Sequence, residues 1–199
     1  MKPLLHQATQ DRLEALVRRP RGAYIFTGPP HVGKLTTALW LAQRFNCSGT
    51  GDDGCRACRL IEAGNHPDVT VVRPADKASI GIAQVQQLQQ AVSLTRDSTE
   101  GRRVVAITPS DNLTTEAQNC LLKTIEEPPL GTIIILAVEQ LTGLLGTVRS
   151  RCQVVQFLPL ETGRVSAYLQ DQLSLPVAQA DHMAELAAGS VGLAISLGR

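Results

Sequence analysis

The chain has 199 residues, enough for one full domain, or one domain and a small second one. Hydrophobic residues make up 43% and charged residues 19%, an ordinary globular composition that excludes disorder as the main state. Nineteen basic residues meet 18 acidic ones, and a net charge of +1 argues against a highly basic nucleic-acid coat.

The longest uninterrupted apolar run, 133–138, is six residues long. A membrane span needs roughly 20. The opening Met1-Lys2-Pro3-Leu4-Leu5-His6-Gln7 turns polar too soon for a signal peptide, so a reducing cytoplasm is the expected compartment.

In chain order, Leu13, Leu16 and Val17 mark an amphipathic helix over 8–19. A short apolar strand follows over 22–27. Gly28-Pro29-Pro30-His31-Val32-Gly33 is a loop, because two prolines and two glycines cannot continue a strand. A helix is predicted over 34–45, a loop over 46–54 and a short helix over 56–63, stopped by Gly64-Asn65. A strand over 69–73 and a Gln-rich helix over 82–94 come next, then a buried strand over 103–107. A helix over 114–126 is ended by Pro128-Pro129. A buried strand over 132–138, a short helix over 144–150 and a strand over 154–157 complete the alternation. After Pro159 the pattern is helical, over 162–172, 178–188 and 190–197. Short apolar strands alternating with helices predict an α/β fold, with a parallel sheet covered on both faces. The switch near Leu158-Pro159-Leu160 divides the chain into a P-loop domain, 1–158, and a small helical unit, 159–199. The small-residue helical pattern at the end reads as one part of a longer protein.

Strand, Gly28-x4-Gly33-Lys34, then helix is the order of a phosphate-binding loop. Backbone N–H groups and the helix N-terminus hold phosphate oxygens there, and Lys34 meets the β- and γ-phosphates. Hydrolysis needs more. The residue after the lysine ligates Mg²⁺ through a hydroxyl, and here it is Leu35. Thr36 follows, but one helical step turns a side chain by about 100°. A magnesium-binding acid is expected at the end of another buried strand; the strand 103–107 runs instead into Thr108-Pro109-Ser110-Asp111. These residues favour an inherited fold without catalysis.

Cys47, Cys55 and Cys58 lie close together in a Gly/Asp-rich segment, with the last two spaced C-x2-C. That pattern points to thiolate ligands for a tetrahedral zinc. The residues leave the fourth ligand open among Asp52, Asp53 and His66, and three free surface thiols are the competing reading. His66 before Pro67 reads as a turn residue. Arg18, Arg19 and Arg21 read as a solvated helix end.

Several stretches carry a resemblance that covers nearly the whole chain: 22–30, the three cysteines, Asn65-His66-Pro67-Asp68-Val69, 119–129 and Thr147-Val148-Arg149-Ser150-Arg151-Cys152-Gln153. The sequence resembles the AAA+ clamp-loader subunits of bacterial DNA polymerase III, the delta-prime type in particular, with the gamma/tau ATPases as relatives. The resemblance implies a P-loop AAA+ domain with an inserted zinc module at about 46–66, followed by a helical lid. It implies a third, collar domain, which these 199 residues do not contain. Family spacing puts four zinc ligands at Cys47, Asp52, Cys55 and Cys58, an aspartate standing where the family has cysteine. In Ser150-Arg151-Cys152, the resemblance implies that Arg151 reaches into a neighbouring subunit's ATP site as a trans-acting finger. A finger so used is expected on the surface, not consumed by an internal salt bridge.

The departures from the family ATPases fall in one place. His31 replaces a glycine, Thr108 and Pro109 stand at the acid pair, and the lid's sensor arginine maps near Gly192. Glycines 28 and 33, Lys34 and Thr36 then form a degenerate phosphate loop, with weak or absent ATP or ADP binding and no independent ATPase activity. The expected function is a non-catalytic clamp-loader subunit, with gamma/tau and delta subunits as partners and the sliding clamp and primed DNA as indirect ones. Two alternatives remain open on the residues: an active gamma-type ATPase using Thr36 and Asp111, and a zinc-stabilised scaffold outside replication.

Overall fold

A computed structural model describes residues 3–49, 51, 53–75, 78–93 and 101–198. Helix α1 (Gln7–Arg18) leads into strand β1 (Ala23–Thr27), and helix α2 (Lys34–Asn46) follows the glycine-rich loop. Helix α3 (Arg56–Glu62), strand β2 (Val69–Val72), helix α4 (Ile82–Ser93) and strand β3 (Arg103–Ile107) come next. Helix α5 (Thr115–Glu126), strand β4 (Thr132–Val138), helix α6 (Gly146–Arg149) and strand β5 (Gln153–Gln156) complete the α/β part. Three further helices close the chain, α7 (Thr162–Leu173), α8 (Val177–Leu186) and α9 (Val191–Leu197). The predicted helix over 144–150 is shorter than expected. A 3₁₀ turn at Leu141–Gly143 and the single turn α6 take its place, because Gly143 and Gly146 break up a longer run.

The five strands are all parallel, in the order β2-β3-β4-β1-β5. Alternation along each strand sorts the core into two layers. Ala23, Ile25, Val105, Ile107, Ile134 and Leu136 pack against α4, α5 and α6. Tyr24, Phe26, Val104, Ala106, Ile133 and Ile135 face α1, α2 and α3. Every residue of β4 is buried, which fits a central strand covered on both faces. Truncating a fully buried one, Ile135→Ala, should destabilise by about 2–5 kcal/mol.

The C-terminal helices carry a separate core of Leu160, Val165, Leu169, Ala180, Ala184, Ala187 and Ala194. The N-terminal segment ties it to the sheet layers. Leu4 packs into this helical core and Leu5 into the sheet core, while the Arg164 guanidinium donates to the Leu5 carbonyl at 3.3 Å.

The Asn65-His66-Pro67-Asp68 stretch is structural. The Asp68 N–H donates to His66 Nδ1 at 3.2 Å, and the Asp68 carboxylate pairs with Arg103 at 3.5 Å. Arg103 also donates to the Val92 carbonyl at 2.7 Å. One buried arginine thus joins the starts of β2 and β3 to the end of α4. Among the described residues no helix is long and apolar enough to cross a membrane.

Candidate functional site

The glycine-rich loop lies at the carboxyl end of β1, where ligands bind in open parallel sheets. Gly28 leaves the strand with its N–H on the Val138 carbonyl at 3.3 Å. Gly33 caps α2, and its carbonyl accepts from the Thr37 N–H at 2.9 Å and the Thr37 hydroxyl at 2.8 Å. A cleft of about 480 Å³ opens over the loop, lined in part by Lys34, Thr36, Asp111, Glu139 and Gly192. The sequence-predicted Lys34 and Thr36 therefore share one cleft.

The loop bonds to the protein itself. Lys34 Nζ donates to the carbonyls of Gly28 at 2.5 Å and Pro29 at 2.7 Å. The Ser190 hydroxyl donates to the Pro30 carbonyl at 3.0 Å, and the Gly192 N–H to the His31 carbonyl at 2.9 Å. Four consecutive loop carbonyls are thus held by Lys34 and by the start of α9. His31 sits at φ +60°, a left-handed conformation that glycine adopts without strain and a side chain resists.

Burial pulls the Lys34 pKa down from the usual lysine value, and the carboxylates of Glu139 and Asp111 oppose that shift. The Asp111 Oδ2 accepts the Glu139 N–H at 2.8 Å, tying the 3₁₀ turn Ser110–Asn112 after β3 to the exit of β4. Glu139 was missed in the sequence. The available signal was an acid directly following the six-residue apolar run 133–138.

The second site is the thiol cluster. Cys47, Cys55 and Cys58 converge with the carboxylate of Asp53, all ligand atoms lying within 4.8 Å of one another. The Cys47 thiol donates to both Asp53 oxygens at 3.2 Å, and Cys55 Sγ lies 3.6 Å from Cys47 Sγ. The Gly49 N–H donates to Cys47 Sγ at 3.2 Å. Hydrogen bonds from Cys47 and from the Cys55 N–H hold the Asp53 carboxyl below its usual pKa. Asp52 lies outside the described residues; the carboxylate gathered with the thiols is its neighbour. His66 instead accepts from the Asp68 N–H. The cluster could hold a metal ion.

The third feature is Arg151, just before β5. β1 and β5 are parallel, so Arg151 lies at the amino edge of the sheet and the glycine-rich loop at its carboxyl edge. A five-residue strand separates the two edges by on the order of 15 Å. The Arg151 side chain is 39% exposed, as expected for a surface arginine. The expectation that it makes no internal ion pair is not met: Nε pairs with Glu126, and Nη1 donates to the Thr147 carbonyl at 2.9 Å. Nη2 has no partner among the described residues.

Comparisons with known proteins give the family and the fold. The family described as "DNA polymerase III, delta subunit" matches residues 6–161. The chain is 38% identical to DNA polymerase III subunit delta' of Bacillus subtilis, an alignment covering 100% of this chain and 58% of that protein. It is 30% identical to the tau subunit of DNA polymerase III from the same organism, over 88% of this chain and 32% of that one. The chain therefore spans little more than half the length of that delta' subunit and about a third of that tau subunit. Among solved structures, the RuvB Holliday junction branch migration motor of Thermotoga maritima superimposes with a TM-score of 0.66 at 17% identity, covering 100% of this chain and 63% of that one. That likeness concerns the fold alone, a five-stranded parallel sheet with helices on both faces. Because the match over residues 6–161 takes in more than half of the chain, the chain belongs to the DNA polymerase III delta subunit family.

Proposed function

We propose that this protein is a non-catalytic subunit of the replicative clamp loader. In this reading it assists ATP-driven loading of the sliding clamp on DNA and lends Arg151 to the ATP site of a neighbouring subunit. Its partners are subunits of the gamma/tau and delta types, and through them the clamp and primed DNA. Residues 1–158 act as the AAA+ domain and 159–199 as its lid.

One observation carries this reading: the phosphate loop is bonded to its own protein, while an arginine stands exposed on the opposite edge of the sheet. Lys34 is engaged with Gly28 and Pro29 and would have to release both carbonyls to meet a phosphate. A nucleotide entering the cleft would find the carboxylates of Asp111 and Glu139 and no hydroxyl directly after the lysine. Arg151, one strand length away, is too distant to serve that cleft. It suits a phosphate presented by another chain, where a planar, permanent cation stabilises charge developing on the transferring group.

The donor set at the thiol cluster fits zinc. Tetrahedral Zn–S bonds of about 2.3 Å place sulfurs about 3.8 Å apart, close to the 3.6 Å between Cys47 and Cys55. Cys47, Cys55, Cys58 and Asp53 would hold the ion. It would supply a structural cross-link ordering the loop between α2 and α3, with no part in phosphate chemistry.

The test uses a loader assembled from full-length subunits. Mg-ATP titrated into the isolated protein should give no turnover, and Lys34→Ala should not change that. Arg151→Ala and Arg151→Lys should each lower the partner's ATP turnover by roughly 10³-fold, less where other sites compensate. Turnover that depends on Lys34 in the isolated protein would favour the gamma-type ATPase instead.

A further inference from the structure

We propose that Glu126 is the positioning residue of Arg151, fixing the edge of its guanidinium so that the far end of the fork is presented outward. This rests on the finger reading above.

Glu126 is the last residue of α5, where the helix dipole disfavours a carboxylate. It is nevertheless placed there, paired with Arg151 Nε. An exposed ion pair adds little to stability, so holding the fold together is a weak reason for it.

Both partners stand on rigid supports. Ile125 is buried at 4% exposure beside Glu126. The turn after it is pinned where Pro128 packs on Gly22: a Cβ at Gly22 would fall within a forbidden distance of the Pro128 ring. The Thr132 N–H then donates to the Pro129 carbonyl at 2.9 Å. On the other side, the Arg151 N–H donates to the carbonyl of the buried Val148 at 3.2 Å.

The guanidinium is thereby held on two of its three nitrogens. Glu126 takes Nε, while the Thr147 carbonyl, at 2.9 Å, and the Ser150 hydroxyl, at 3.3 Å, take Nη1. Glu126, Ser150 and Arg151 line a cleft of about 500 Å³ together with Arg21 and Gly22. Nη2 remains for a partner's anion. A long, flexible side chain held in one rotamer before the encounter loses less freedom when it meets its target.

The experiment is a double-mutant cycle in the loader built from full-length subunits, reading kcat and KM for ATP. Glu126→Ala should lower kcat roughly 10–100-fold with KM little changed, as expected for a misplaced catalytic cation. Glu126→Gln, which keeps an oxygen acceptor for Nε, should recover part of that loss. In an Arg151→Ala background, Glu126→Ala should have no further effect. Normal or raised turnover in Glu126→Ala, or additive losses in the double variant, would overturn the proposal and leave the finger standing. A silent Arg151→Ala would overturn the finger and this proposal with it. Thermal melting and assembly of each variant separate a positioning loss from misfolding.

Discussion

The N–H of Gly192 donates to the carbonyl of His31 at 2.9 Å, joining the first turn of the last helix to the phosphate loop. This approach requires a glycine. A Cβ at position 192 would lie 2.8 Å from the His31 oxygen and 3.2 Å from its Cβ. The position where the resemblance places a sensor arginine is therefore filled by backbone contact.

Gly192→Ala should push the lid off the loop. A stability loss of about 1–3 kcal/mol is expected for overpacking of this kind. Urea titration would measure it, and faster proteolysis near residues 158–160 would report the loosened lid. An unchanged midpoint and digestion pattern would show that the contact carries no weight.

The metal makes a separable prediction. One zinc per chain should copurify, read by elemental analysis. Asp53→Ala should weaken binding by roughly a hundredfold and Cys58→Ser by at least as much, because each removes one of four ligands whose joint binding orders the loop. Asp52→Ala should leave the affinity unchanged if Asp53 is the ligand. Cobalt substitution, with its thiolate charge-transfer absorption, gives a readout independent of clamp loading.

Asp68 and Arg103 form a buried ion pair among the described residues, with side chains about one-tenth exposed (10% for Arg103 and 11% for Asp68). Asp68→Ala removes one carboxylate from the buried arginine, and a loss of up to about 3–5 kcal/mol is expected. Double-mutant cycles with Arg103→Met, read by chemical denaturation, should recover part of it. Simple additivity would mean that the two side chains do not act together.

Cys152 sets a pH dependence. Burial pushes its thiol up from 9.0 to about 12. Above pH 9 the unfolded thiol ionises while the folded one keeps its proton, so the contribution is intact below that pH and is lost as the pH rises toward 12. Wild-type stability should therefore fall between about pH 9 and about pH 12 more steeply than that of Cys152→Ala. In the native protein at about pH 8, Cys152 should also resist alkylation that proceeds after unfolding.

Much of this protein was determined by its sequence alone. Period-two and period-3.6 apolar patterns located the strands and helices, because each element buries a face whose spacing is set by local geometry. Gly28, Gly33 and Lys34 marked the phosphate loop, since a strand-to-helix turn with that spacing has few other uses. The three cysteines were legible as a cluster because they lie within twelve positions, Cys47 to Cys58, of one another. The ligand choice between neighbouring aspartates was not legible, because it depends on which carboxylate the loop turns inward; among the described residues that is Asp53. Nor were the contacts of Lys34 with its own loop, of Gly192 with His31, or of Glu126 with Arg151. The last two join residues 161 and 25 positions apart, brought together by the lid's docking and by parallel strand pairing. Local propensity carries no information about such pairs. They exist only when the sheet, the lid and the turn at Pro128 have all packed into place.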